Sequence, residues 1–268
     1  MIEPEKQIEM AFHERVRRQW GLLIPLVVTL VAVFVFSIQW KRSLKVRHIE
    51  VEGLRALAAQ EIVAASGVRM NSSLQETDLA AVQRQIMTEP FVKSVNVSRH
   101  YPDALQISIL EREPIASVSG GQMWYVDAAG VILPFRQQAL KLDLPIISGV
   151  VGLQNTRAGD VVANREISQA VEVLARARAI DSSLYHFISE INMNHGGDIT
   201  LFSVDAGAPI ILGRGGVAKK LYLLQSFWSN VVRTRGVEEL QSIDLRYDDQ
   251  VVVRWVQQAD KPPARVSL

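Results

Sequence analysis

From Gly21 to Ile38 the chain reads GLLIPLVVTLVAVFVFSI, 18 residues without a charge, and this run limits what the remainder can be. At 1.5 Å per residue it extends roughly 27 Å, close to the hydrocarbon thickness of a bilayer. It is apolar all round, whereas a helix on the surface of a soluble core keeps a polar stripe. Trp20 and Trp40 stand at its two ends, where tryptophan favours the membrane–water boundary. A cleaved secretory signal has a shorter apolar core followed by a small-residue cleavage site, and Phe36-Ser37-Ile38-Gln39-Trp40 offers none. The expectation is a single spanning helix over residues 20–40, with an N-terminal tail over residues 1–19. Basic residues flank both ends, Arg15, Arg17 and Arg18 before and Lys41, Arg42, Lys45 and Arg47 after, so charge alone leaves the orientation open.

The 268 residues leave room beyond this helix for two domains of ordinary size. With 48% hydrophobic residues they can bury proper cores, and 29 basic against 28 acidic side chains give no overall field that would draw nucleic acid. There is no cysteine, which excludes disulfides, thiolate metal sites and cysteine nucleophiles.

Local patterns fill in the first domain, residues 45–113. Val46, Ile49 and Val51 predict a short strand ended by Gly53. Residues 59–66 have helical composition with Gly67 as a C-terminal cap, and a second helix over residues 77–87 carries Leu79, Val82 and Ile86 on one face, stopped by Pro90. Val95 and Val97, then Leu105, Ile107 and Ile109, alternate with polar residues on either side of Tyr101-Pro102-Asp103, which predicts a hairpin. The order is β-α-α-β-β, two helices on one face of three strands.

Pro114 is expected to break the last strand and open a second domain over residues 114–257. Strands are predicted at residues 124–127 and 131–133 around an Ala128-Ala129-Gly130 turn, then at 188–194, 199–204, 209–212, 242–247 and 251–255. Gly196-Gly197-Asp198 turns the third of these into the fourth. Helices are predicted over residues 165–180, capped by Asn164, and 217–234. The fold class is α+β, mostly β in this second domain. The tail, residues 258–268, carries Pro262-Pro263 and is expected to be disordered.

Catalytic patterns do not emerge. Five histidines, His13, His48, His100, His186 and His195, are scattered singly, without the H-E-x-x-H spacing of a metal-binding helix. Neither a G-x-S-x-G elbow nor an S-x-x-K pair is present. Gly213-Arg214-Gly215-Gly216 before a helix suits a phosphate cradle less well than a plain strand-to-helix turn, since it matches neither glycine-rich nucleotide pattern. Asp127 with Gly130 reads as turn chemistry, and Lys219 and Lys220 as a solvated face. Arg246 and Tyr247 read as ordinary strand residues. No metal, cofactor or catalytic residue is expected.

The stretch over residues 90–116, PFVKSVNVSRHYPDALQISILEREPIA, resembles a POTRA domain of the FtsQ/DivIB family of bacterial division proteins. Three later stretches are similar to the same family in the same order: YVDAAGVIL at 125–133, ILGRGGVAKKL at 211–221 and IDLRYDDQVVVRW at 243–255. One departure is the final turn, Asp248-Asp249-Gln250, which lacks the glycine many relatives carry.

The resemblance implies a non-catalytic scaffold of the division septum, with its N-terminus in the cytoplasm and both domains outside the inner membrane. It implies that FtsB/DivIC-like and FtsL-like proteins are partners, that a segment of the FtsB-like one adds to the C-terminal sheet, and that the POTRA domain recruits further division proteins. On that basis Arg246, Tyr247, Val251, Val253 and Trp255 are the expected partner-binding residues. Two other classes compete. A POTRA-bearing chaperone or translocation factor would show tandem copies or a barrel, and a membrane-anchored wall enzyme would need a nucleophile or metal constellation.

Overall fold

The computed structural model describes residues 25–40, 44–136, 143–193, 198–205 and 207–256. Residues 25–40 form helix α1, whose Val28, Phe34, Phe36 and Trp40 all stand exposed. Trp20, the start of the expected span and the tail before it lie outside the described residues. Among the described residues no helix is long and apolar enough to cross a membrane. The chain divides into two compact units. One holds the described residues up to Glu52, Ala59–Gln85 and Asn96–Ser108, and the other holds Gly53–Ala58, Ile86–Val95 and Ile109 onward.

The predicted β-α-α-β-β order is present as β1 (His48–Glu52), α2 (Ala59–Ala65), α3 (Leu79–Ile86), β2 (Val92–His100) and β3 (Ala104–Glu111). The three strands lie in the order β1-β3-β2, with β1 parallel to β3 and His48 opposite Ala104. A parallel pair cannot be closed by a tight turn, so the helical crossover between β1 and β2 is what makes this order possible. Val46, Leu74 and Leu105 form a small core with Leu44, Ile49, Val68 and Leu79 packed on it. Arg99 ties the loop before α3 into place, donating to the carbonyls of Leu74 (2.7 Å), Gln75 (3.0 Å) and Thr77 (2.8 Å). Those carbonyls have no partner in a helix or ladder, so a side chain must supply the donors.

In the second unit nine strands make one sheet: β4 (Pro114–Ser119), β5 (Met123–Asp127), β6 (Ile132–Pro134), β7 (Ile146–Ser148), β8 (Ile188–Met193), β9 (Ile199–Ser203), β10 (Pro209–Gly213), β11 (Leu240–Asp244) and β12 (Val252–Trp255). Their order is β12-β11-β10-β9-β8-β7-β4-β5-β6. Helices α4 (Arg165–Ile180) and α6 (Val217–Phe227) bury Ile167, Val171, Leu174, Leu221 and Leu224 in the main core with Ile147, Ile191, Leu201 and Ile210 from the sheet. Asn164 caps α4 as expected, its Oδ1 accepting from Glu166 (2.8 Å) and Ile167 (3.2 Å). The long helix expected over residues 217–234 is instead α6, a π-helical turn (Trp228–Val232) and the short α7 (Arg233–Arg235).

Pro114 begins β4 rather than only ending β3, because proline is tolerated as the first residue of a strand. Besides β4 itself, two further elements lie beyond the sequence expectation: β7, three residues held between parallel neighbours β4 and β8, and α5 (Ser182–Phe187). Asp181 serves α5 as N-cap through its carboxylate while its own N–H closes α4 on Ala177. Hydrogen bonds to Ser183 hold that carboxyl below its ordinary pKa.

Glu111 and Asp127 are two buried carboxylates with structural duties. Glu111, 7% exposed, accepts from the N–H groups of Arg55 (3.0 Å), Ala56 (2.8 Å) and Leu57 (3.1 Å). Asp127 accepts from Ala129 and Val131, both at 2.9 Å, and pairs with Arg112 at 2.9 Å, which is the turn role its neighbours suggested. Replacing Glu111 by alanine would leave three N–H donors without their acceptor, that of the buried Leu57 among them. We expect Glu111→Ala to destabilise the detergent-solubilised chain by about 3 kcal/mol in urea unfolding, and Glu111→Gln by less, since it keeps one carbonyl acceptor.

Candidate partner-binding edge

The two ends of the nine-stranded sheet differ. At β6 the segment after it folds back: Ile132 donates to Asp160 (2.9 Å), Gly159 donates to Ile132 (2.8 Å) and Val162 donates to Gly130 (2.9 Å). That end therefore has its backbone groups occupied. At the other end β12 pairs antiparallel with β11, Ile243 opposite Val253 and Asp244 opposite Val252, and among the described residues nothing pairs with its far side.

Three valines in a row, Val251 to Val253, give β12 its extended preference. Side chains alternate along it. Val251, Val253 and Trp255 turn inward and pack on the main core as half-buried residues, whereas Val252 and Arg254 are exposed. The backbone alternates too. Val256 donates to Glu239 at 2.8 Å, on the β11 side, so the N–H groups of residues two and four earlier face β11 as well. Those of Val253 and Trp255 face outward. The expected site residues of this strand thus offer their main chain to the open edge and their side chains to the core behind it. The guanidinium of Arg235 lies 4.0 Å from the ring centre of Trp255, which fixes the indole at the end of the strand.

Arg246 and Tyr247 lie in the connection from β11 to β12, not in a strand: β11 ends at Asp244. Asp244 grips Arg246, accepting from Nε (3.0 Å) and Nη2 (2.7 Å), and also from the Arg246 backbone N–H (3.0 Å). The bond from the Arg246 side chain is the main reason the Asp244 carboxyl sits below its ordinary pKa. Beneath the arginine stem lies Gly213, where a Cβ would come 2.6 Å from Arg246 Cγ. Tyr247 is 54% exposed. The turn that lacks glycine solves its geometry with Asp249, which adopts φ +57°, a left-handed conformation that aspartate tolerates better than most residues.

Two residues read as a solvated face have partners here. Lys219 pairs with Asp249 at 2.5 Å, which raises its pKa, and so ties the first turn of α6 to the β11–β12 connection. Lys220 donates to the carbonyls of Leu212 (2.8 Å) and Arg214 (3.0 Å), closing the strand-to-helix turn in which Gly213, Gly215 and Gly216 all have positive φ. That turn is as expected. Asp244 was not singled out from the sequence, although its spacing of two from Arg246 was the available signal, since residues two apart share a face.

Residues 44–112 match the family model of the FtsQ-type POTRA domain, and residues 113–253 match the model described as FtsQ/DivIB, C-terminal related. Together the two matches define a POTRA-bearing cell-division protein. Among curated relatives, the cell division protein FtsQ of Geotalea daltonii is 32% identical over 214 residues, 79% of this chain and 76% of the relative. That of Anaeromyxobacter sp. (strain K) is 30% identical over 264 residues, 95% of this chain and 88% of the relative. The chain belongs to the FtsQ/DivIB family of cell division proteins.

The grip of Asp244 on Arg246 carries a pH dependence of known sign. The folded pKa lies below the unfolded one, so this stabilisation is fully present above the ordinary aspartate range and is lost as pH falls through the folded value. Asp244→Asn should therefore be less stable than the parent at neutral pH. The difference should shrink toward zero on acidification, as read by thermal unfolding across a pH series.

Proposed function

We propose that this protein is a non-catalytic scaffold of the division septum that receives a strand from a partner of the FtsB/DivIC type along β12. The observation that carries this reading is the contrast between the two ends of the sheet, one covered by its own chain and the other open. Strand addition needs free backbone donors and acceptors for affinity and nearby side chains for selectivity. Val251, Val253 and Trp255 supply the first, and Arg246 and Tyr247 stand at the start of the hairpin to supply the second. Because Arg246 is already held by Asp244, an acidic partner residue would meet a guanidinium fixed in place rather than one it must first order.

In the same reading, residues 20–40 anchor the chain in the inner membrane with the N-terminus cytoplasmic and Trp20 and Trp40 at the two interfaces. Residues 45–113 act as a POTRA domain that gathers other division proteins, an FtsL-like protein is a further partner, and residues 114–257 carry the docking edge. The exposed apolar surface of α1 supports the anchor, since a contiguous apolar surface of this kind marks a contact with a membrane or another protein.

Val253→Pro is the sharpest test. It deletes an outward N–H while leaving the β11 ladder intact, so the chain should fold and lose the partner in co-purification. Tyr247→Ala is expected to weaken capture at least tenfold, the scale of a buried aromatic anchor at about 2 kcal/mol. Unchanged capture by both variants would defeat the edge reading. A fluorescent fusion that stays diffuse around dividing cells, without a mid-cell band, would defeat the septal one.

A further inference from the structure

Within the first unit, the turn between β2 and β3 lies against the end of α1. A groove of about 450 Å3 is lined by Phe36 and Trp40 of α1, by Leu44, and by Tyr101 and Pro102 of the turn. Its walls are almost wholly apolar, and its aromatic residues are not buried: Phe36 is 62% exposed, Trp40 60% and Tyr101 53%. Phe36 and Trp40 meet edge to face at 5.9 Å. Four residues of helix separate them, about 6 Å along the axis, a length comparable to the roughly 5 to 10 Å by which interfacial segments enter the headgroup–acyl boundary.

Basic residues stand at the same end of the unit. Arg47 and His48 donate their backbone N–H groups to the Asp103 carbonyl, at 2.8 and 3.2 Å. This holds the Lys45–His48 stretch against the turn, with Lys45 and Arg47 exposed, and the Tyr101 hydroxyl donates to Gln75 at 3.0 Å. A tyrosine and a tryptophan lining one apolar groove at the end of an apolar helix, with exposed lysine and arginine on the adjoining stretch, have the chemistry of a membrane interface, where aromatic rings sit at headgroup level and basic side chains meet anionic lipid.

We infer that the Tyr101-Pro102 turn is a second membrane contact, a foot that rests at the headgroup level beside α1 and holds the first unit against an anionic lipid surface. This rests on the reading of residues 20–40 as a membrane anchor. The sheet sets the direction: β1 runs from His48 opposite Ala104 to Glu52 opposite Ser108, about 13 Å at the usual strand rise. The start of α2 near Gln60 follows that far end and would stand clear of the lipid.

Because the chain has no cysteine, single-cysteine reporters are directly available in the full chain. His100→Cys (beside Tyr101), Gln60→Cys and Val28→Cys would each carry an environment-sensitive fluorophore in vesicles of phosphatidylcholine and phosphatidylglycerol. Spin-labelled lipids would quench either at the headgroup or deep in the acyl region. The headgroup quencher is expected to dim the His100 reporter and spare the Gln60 reporter, while the deep quencher dims the Val28 reporter. Adding Tyr101→Ser should lessen the dimming at position 100. A quenched Val28 reporter with a His100 reporter as bright as that at Gln60 overturns the foot and leaves the anchor standing. If the Val28 reporter also stays bright, the anchor falls and the foot falls with it.

Discussion

An open β-sheet has to end, and its last strand carries backbone donors and acceptors on one side that require some partner. Nine strands in a row make this the governing constraint on the second unit. Residues 159–162 answer it at β6 with main-chain hydrogen bonds from the same chain. At β12 the chain gives no such answer among the described residues, and the contacts around that strand order its neighbours without covering its free side. Lys219 fixes the turn, Asp244 fixes Arg246, and Arg235 fixes Trp255. Each contact orders a neighbour of the edge while leaving the edge itself open.

The parts of the fold legible in the sequence were those with a strong period or a strong cap. Asn164 before an apolar face marked α4, and alternating valines and isoleucines marked β2 and β3. What escaped was short or buried on both sides. β7 has three residues and parallel neighbours on each side, so it shows no polar–apolar alternation to read. The helix α5 was hidden because one aspartate both closes α4 and opens α5, and two helices joined by a single residue look like one helix and a loop. Proline at residue 114 reads as a breaker, and only the tertiary context makes it a first residue.

At the candidate site, the sequence placed Arg246 and Tyr247 through family likeness rather than through their own pattern. Their neighbours explain why the pattern was silent. The carboxylate that grips Arg246 comes from the preceding strand, the space under its stem comes from Gly213 on β10, and the lysine that steadies the turn comes from α6. Two stretches, residues 213–219 and 244–249, meet at one hairpin, and only the fold brings the glycine and the lysine of the first to the arginine of the second.

Asp249 gives this hairpin a character that a glycine would not. A glycine turn is held by backbone sterics alone, which salt does not alter. Here the left-handed residue also carries a charge, and its tie to Lys219 lies in the open, with both side chains more than half exposed. Such a pair is screened over about 8 Å at physiological ionic strength. The part of the hairpin's order that comes from this pair is therefore small and weakens as salt rises, whereas the part that comes from backbone geometry does not.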